Sequence, residues 1–317
     1  MLNRRILRIK AFKVLYSYAE NPDMTFKEAQ SLLDESSEAT RDLYLFLLGI
    51  VEPLTEEARR LVEAAREKFN PTEEELHPNL KFVSNSLSPL LAGDPDFRKL
   101  LQKKKLSWDQ YDVLIHNLYE SIKGKKWFRQ YLDSPEVSLR EDVKLFKHIF
   151  TEEFEDNEAL QAILEEMSIL WTDDLGYALG VVLSTLDDIA RTGRWTLPPL
   201  YNSDILIAKG KDADSDSEFV HKLLKVCFGR FSEYNDRIAG SVSRWDRDRL
   251  YTTDIVLIAM GLAEAETFPE IPVVVSINEY VEISKYYSTP KSRGFVNGLL
   301  DSLVKEELEK GTIVKNR

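Results

Sequence analysis

The chain has 317 residues, 43% apolar and 10% aromatic, and its 42 basic against 54 acidic residues leave a net charge of −12. That length supports one large or two modest domains, while the single Cys227 excludes an internal disulfide and suits a reducing, cytoplasmic setting. The acidic balance excludes a broadly basic polyanion binder, so any nucleic-acid site must be local.

In chain order the signals are helical. Residues 5–20 place Leu7, Ala11, Val14, Leu15 and Tyr18 on one stripe at helical spacing. Residues 40–69 predict one or two helices, with Pro53 as a break or a helix start. The stretch 84–96, SNSLSPLLAGDPD, reads as a turn-rich linker. Helices follow near 97–104, 108–122, 139–150, 156–170 and 173–192. Arg194–Ser217 carries a Pro pair and an Asp/Ser run and reads as a solvated loop, without the ligand spacing of a calcium loop. Five more helices are predicted near 217–229, 231–243, 247–266, 272–287 and 290–310. Strand signals are nearly absent, so the fold class is all-α, built from packed bundles.

An internal match also stands out. Leu145-Phe146, Ile149-Phe150, Phe154, Leu164 and Trp171 share their spacing with Phe219-Val220, Leu223-Leu224, Phe228, Ile238 and Trp245. A duplication would make the middle of the chain a decayed second copy of the last bundle; chance between two amphipathic helix pairs gives a partial match too.

Catalytic constellations are missing. His77, His116, His148 and His221 are scattered without metal-ligand spacing, and no phosphate loop, nucleophile elbow or HExxH is present. Adjacent acids such as Glu165-Glu166 and Asp187-Asp188 diverge by ~100° around a helix. The expectation is a protein that is not an enzyme and has no metal or cofactor. No run approaches the ~20 apolar residues that span a bilayer, and no apolar run follows the charged N-terminus as in a signal peptide.

Two basic sites oppose the helix dipole. Residues 4–20 carry Arg4, Arg5, Arg8, Lys10 and Lys13 against one acid, Glu20. Cations in a first turn are unfavourable by ~0.3–1 kcal/mol each, a conflict that a docked anion removes. Arg5, Arg8, Phe12 and Tyr16 fall on one flanking wedge, where guanidinium planes and rings suit unstacked RNA bases; a solvated basic helix with its aromatics in the core is the plainer reading. The second site is Lys285–Phe295. Thr289 as N-cap and Pro290 at the first helical position would open a helix with Lys291 and Arg293 in its first turn and no acid.

The order Ile271-Pro272, Val275, Ile277-Asn278-Glu279, Val281-Glu282, Lys285 and Tyr287, then Phe295-Val296-Asn297-Gly298-Leu299-Leu300-Asp301, resembles the C-terminal hallmark of NusB-type transcription antitermination proteins. The arginine-led first helix ending in Val14-Leu15-Tyr16-Ser17 resembles the family's opening. The resemblance implies two antiparallel helical bundles, here residues 1–34 with 195–317, and an added helical insert at 35–194. It implies binding of boxA-type single-stranded RNA of ribosomal-RNA leaders, together with the NusE-type small-subunit ribosomal protein and the RNA polymerase antitermination complex. RNA contacts would come from Arg4, Arg5, Arg8, Lys285, Lys291, Arg293 and Phe295, with Tyr16 near the partner protein. In Asp248–Ala265, Leu257 stands where the family pattern carries Arg, and Leu262-Ala263 where it carries Glu-Leu; Lys123–Arg129 is a candidate replacement for the missing charge. Two alternatives are a NusB-like helical interaction protein that has lost RNA binding, and a cytosine methyltransferase with a NusB-like leading domain. The second finds no room, since sixteen residues follow Asp301 in this sequence.

Overall fold

A computed structural model describes residues 2–171, 173–197, 215–242 and 251–315. Their regular elements are all helical. In order they are α1 (Arg4–Glu20), α2 (Phe26–Leu48), α3 (Val51–Arg66), α4 (Glu73–Leu76), α5 (Leu87–Ala92), α6 (Pro95–Lys104), α7 (Asp112–Gly124), α8 (Lys126–Asp133), α9 (Leu139–Glu153) and α10 (Glu158–Met167). A 3-10 turn at Ile169–Trp171 leads to α11 (Leu175–Thr192), and then come α12 (Ser215–Gly229), α13 (Phe231–Val242), α14 (Thr252–Thr267), α15 (Val273–Tyr287) and α16 (Ser292–Glu309). Among the described residues, no helix is long and apolar enough to cross a membrane. The chain divides into two compact units, Met1–Glu38 with Leu200–Arg317 (the terminal unit) and Ala39–Pro199 (the middle unit).

The terminal unit is organised around α14, against which α1, α12, α13, α15 and α16 pack. Residues Val256–Ala265 of α14 are all buried, as a helix surrounded by others requires. Gly261 permits the closest approach: a Cβ there would lie 2.6 Å from Leu300 Cδ2 on α16 and 3.3 Å from Tyr280 on α15. Cys227 on α12 is fully buried, and burial pushes its thiol well above the ordinary range. On α1, Leu7, Ala11, Val14 and Leu15 are buried as the spacing predicts, and Tyr18 is half-buried against Phe228.

The middle unit packs α9 on α11 and α3 on α5 and α7. Its core is aromatic: Phe46 stacks on Trp108 at 4.0 Å, and Trp108 Nε1 donates to the Phe46 carbonyl at 2.8 Å, giving the buried indole the partner it needs.

Several boundaries differ from those read in the sequence. The second helix starts at Phe26 rather than near residue 40, because Thr25 and Glu28 form a capping box: Glu28 N donates to Thr25 Oγ1 at 3.3 Å and Thr25 N to Glu28 Oε2 at 2.7 Å. The break before α3 falls at Gly49-Ile50, and Pro53 sits in the first turn of α3, where its missing N–H costs nothing. The stretch 84–96 is not all linker; it holds α5, whose Ser88 N donates to Asn85 Oδ1 at 2.9 Å. In the internal match, the paired positions of α9–α10 and α12–α13 are buried apart from the half-buried Phe228. Trp245 and most of the Asp/Ser loop lie outside the described residues.

Within the terminal unit, His221 on α12 joins α2. Its Nε2 lies 2.7 Å from Asp34 Oδ1 and its Nδ1 2.7 Å from the Ser217 carbonyl. Both partners accept, so only the doubly protonated ring satisfies both. Burial opposes that charge, but the Asp34 hydrogen bond, the Ser217 carbonyl and the Asp34 charge outweigh it and raise the pKa. A raised folded-state pKa gives stability that is complete below the unfolded value of ~6.5 and is lost as pH rises through the folded value. Urea midpoints of the wild type should therefore fall as pH is raised across that window. His221→Asn should flatten this dependence; an equal slope in both proteins would rule the pair out as its source.

Candidate nucleic-acid interface

The N-terminal cations do not share one fate. Asn3 caps α1, its Oδ1 accepting from Ile6 N at 3.0 Å, and no acid lies in the first turn. Arg5 is exposed, with its guanidinium donating to both oxygens of Glu279 on α15 at 2.9 and 2.7 Å. Arg4 is half-buried, with its guanidinium 4.9 Å from the Phe219 ring centre. Arg8 is only 3% exposed. It donates to both oxygens of Glu264 on α14 at 2.7 and 2.8 Å, with Glu279 3.7 Å away. Lys10 and Phe12 are buried too, and Lys13 lies over the Tyr287 ring at 5.7 Å. The wedge of Arg5, Arg8, Phe12 and Tyr16 thus splits, since Arg8 and Phe12 face inward and Tyr16 stays 37% exposed.

Glu264 explains the inward turn of Arg8. Its fully buried carboxylate accepts four hydrogen bonds: two from Arg8, one from Ser276 Oγ at 2.8 Å and one from Tyr280 OH at 2.7 Å. Burial lowers the Arg8 pKa, but the Glu264 hydrogen bonds and the neighbouring negative charges outweigh it and hold it above the ordinary value. The dipole conflict at α1 is therefore answered from within the protein, by Glu264 and Glu279. The Arg8 hydrogen bonds are spent on this pair, which turns its guanidinium to the core.

The second basic site has a different construction. The chain turns through Thr289–Ser292, Ser292 N donating to the Thr289 carbonyl at 2.9 Å, so α16 begins at Ser292 with Lys291 at its N-cap. The expected Thr289-Pro290 helix start lies two residues too early. Ser288 Oγ donates to Asp254 Oδ1 at 2.6 Å and lies 2.8 Å from Ser292 Oγ, which lies 2.9 Å from Thr289 Oγ1. Burial raises the Asp254 pKa, and the hydrogen bonds from Ser288 and Ser292 oppose it. This hydroxyl–carboxylate knot fixes the turn that carries Lys291 and Arg293, both exposed; Phe295 is half-buried.

The two sites meet on α15. Glu282 hydrogen-bonds Lys285, and this contact, then the charges of Lys285, Arg293 and Arg5, holds its carboxyl below the usual range. Arg5 likewise depresses Glu279, chiefly through its hydrogen bonds. Glu282 thus lies within reach of the charges of Arg5 from α1 and Arg293 from α16, while its direct partner is Lys285. The sequence reading missed Glu264, Glu279 and Glu282 as organisers. A regular run of buried apolar residues interrupted by a lone Glu, as at 256–265, was the available signal for the first.

Leu257 is fully buried in α14, so the position where the family pattern places Arg faces the interior of this chain. The acid sought at 262 is supplied at Glu264. In the Lys123–Arg129 stretch two cations are engaged, while Lys126 and Arg129 are exposed. Lys123 pairs with Glu120 at 2.8 Å, Lys125 with Glu153 at 2.7 Å, and Trp127 Nε1 donates to Glu152 at 2.6 Å, while Phe128 is buried. Residues 39–199 hold 20 basic against 29 acidic residues, a net −9, leaving −3 for the rest. Among the described residues no cluster of three or more His, Cys, Asp or Glu side chains could hold a metal ion.

Residues 199–305 match the family model described as NusB family. The transcription antitermination protein NusB of Thermoanaerobacter sp. is 30% identical over 128 residues, which is 37% of this chain and 91% of that relative. The chain belongs to the NusB family. The NusB protein of Methylacidiphilum infernorum is 41% identical over 91 residues, 29% of this chain and 64% of its own length. That of Chloroherpeton thalassium is 34% identical over 116 residues, 35% of this chain and 55% of its own. The chain thus spans between half and two thirds of these last two NusB proteins. No solved structure matches it.

Proposed function

We propose that this protein is a transcription antitermination factor that binds boxA-type leader RNA together with a NusE-type ribosomal protein, as part of an RNA polymerase antitermination complex. The observation that carries the reading is that Arg5 from α1 and Lys285 sit on carboxylates one turn apart on α15, Glu279 and Glu282, with the charge of Arg293 on α16 felt at Glu282. Its relatives are named transcription antitermination proteins, and this grouping supplies what a locally basic site in an acidic chain needs. Arg4, Arg5, Lys285, Lys291 and Arg293 would meet phosphates, with the rim of Phe295 beside them. Arg8 would act as a positioning residue that fixes α1 against α14 and α15. Tyr16, exposed on the same helix, would border the partner protein.

The test is a titration of labelled boxA RNA with and without the NusE-type protein, over a range of salt. Salt-sensitive binding that tightens when the ribosomal protein is added is expected. Binding that is absent, or that ignores salt and partner, would leave a helical interaction protein without an RNA role.

A further inference from the structure

Tyr286, at the end of α15, is 82% exposed. Its neighbour Tyr287 turns the other way, its ring 5.3 Å from that of Phe12 with Lys13 above it. Adjacent helical residues diverge by ~100°, so anchoring Tyr287 inward fixes Tyr286 outward. The backbone there is held, since Ser288 N donates to the Ser284 carbonyl at 3.0 Å and the Ser288 side chain is tied to Asp254. An outward tyrosine is thus presented on a rigid helix end, not on a yielding loop.

Its surroundings set it apart. Among the described residues the other exposed aromatics are Tyr16, Phe69 and Tyr251. Tyr286 directly follows Lys285, and the next exposed side chains along the turn are Pro290, Lys291 and Arg293. The acid nearest in the chain, Glu282, is engaged by Lys285. A large ring in water amid cations has no structural use in the folded chain, and its face suits another π-system. Unpaired bases stack on such rings while neighbouring cations take the phosphates.

We infer that Tyr286 is the stacking platform for one unpaired base of the bound RNA, flanked by Lys285, Lys291 and Arg293 on the sugar–phosphate backbone. This rests on the RNA-binding reading above and adds to it a residue that reads the base rather than the charge. Stacking is sequence-tolerant, so Tyr286 would contribute affinity and register, with no hydrogen-bond code.

The experiment uses the full chain and fluorescein-labelled boxA RNA, with Tyr286→Ala and Tyr286→Phe. Tyr286→Ala should weaken binding about tenfold, within the range found for single base–aromatic stacks, and leave the salt slope unchanged because no charge is removed. Tyr286→Phe keeps the ring and should bind as the wild type does. Abasic substitutions along the RNA should identify one nucleotide whose loss weakens the wild type but not Tyr286→Ala. If the wild type binds with a salt slope and Tyr286→Ala binds equally well, the platform is wrong and the RNA reading stands. Equal losses for Tyr286→Phe and Tyr286→Ala, or abasic effects identical in wild type and Tyr286→Ala, also overturn it. Absence of wild-type binding overturns both.

Discussion

Arg8→Ala should destabilise the terminal unit by about 3–5 kcal/mol, the usual cost of removing one partner from a buried ion pair. The cost arises less from the missing attraction than from what remains: the Glu264 carboxylate, fully buried, would retain only Ser276 Oγ and Tyr280 OH. The exposed pair gives the internal comparison. Arg5→Ala breaks an equally short bidentate contact with Glu279, yet at a solvated site it should cost about 0–1 kcal/mol. Arg8→Lys should recover little, because an ammonium cannot span both carboxylate oxygens. Replacing Arg8 and Glu264 together by leucine should recover much of the loss, as no charge is then stranded. Denaturant midpoints of the four variants decide the matter. Arg8→Ala no worse than Arg5→Ala would mean that the buried pair does not govern the stability of this unit.

The second large effect is on RNA. Each cation–phosphate pair removed from a single strand takes about 0.7 off the slope of log affinity against log salt. Removing Arg5, Lys285, Lys291 and Arg293 together should lower the slope by about 2.8, and affinity near 0.1 M salt by several hundredfold, on the order of 10^2.8. The double variant with leucine at Arg8 and Glu264 removes the Arg8 charge without stranding an acid and should leave the slope near that of the wild type, since that guanidinium faces Glu264. This separates the surface cations from the buried one. A quadruple variant with an unchanged slope would remove this face from the RNA site, and a slope lowered by about 0.7 in the folded leucine double variant would put Arg8 on it.

The contrast between Arg5 and Arg8 also marks how far the sequence could be read. The helical class, the stripe Leu7–Ala11–Val14–Leu15 and the cation-bearing turn before α16 follow from local spacing, and the structure has them. The fate of Arg8 does not follow, because the acid that claims it lies 256 positions away along the chain. Three residues from Arg5 on a helical wheel, Arg8 looks like an outward cation until α14 is laid beside it. The same holds for Tyr286 and Tyr287. Adjacent tyrosines are equivalent in the sequence, and Phe12 on a distant helix decides which one packs against the protein. Short helices such as α8 escape because eight residues hold too few apolar positions to set a period. The start of α2 escaped although Phe26, Ala29 and Leu33 keep helical spacing behind its capping box.

The −9 carried by residues 39–199 acts on nucleic acids that the protein should not hold. Repulsion between this unit and any polyanion reaches about one Debye length, roughly 8–10 Å at physiological salt, and every phosphate brought that close adds to it. A long duplex or a nonspecific RNA that samples many surfaces meets that field repeatedly. Weak nonspecific affinity for polyanions is thus built into the charge of the middle unit.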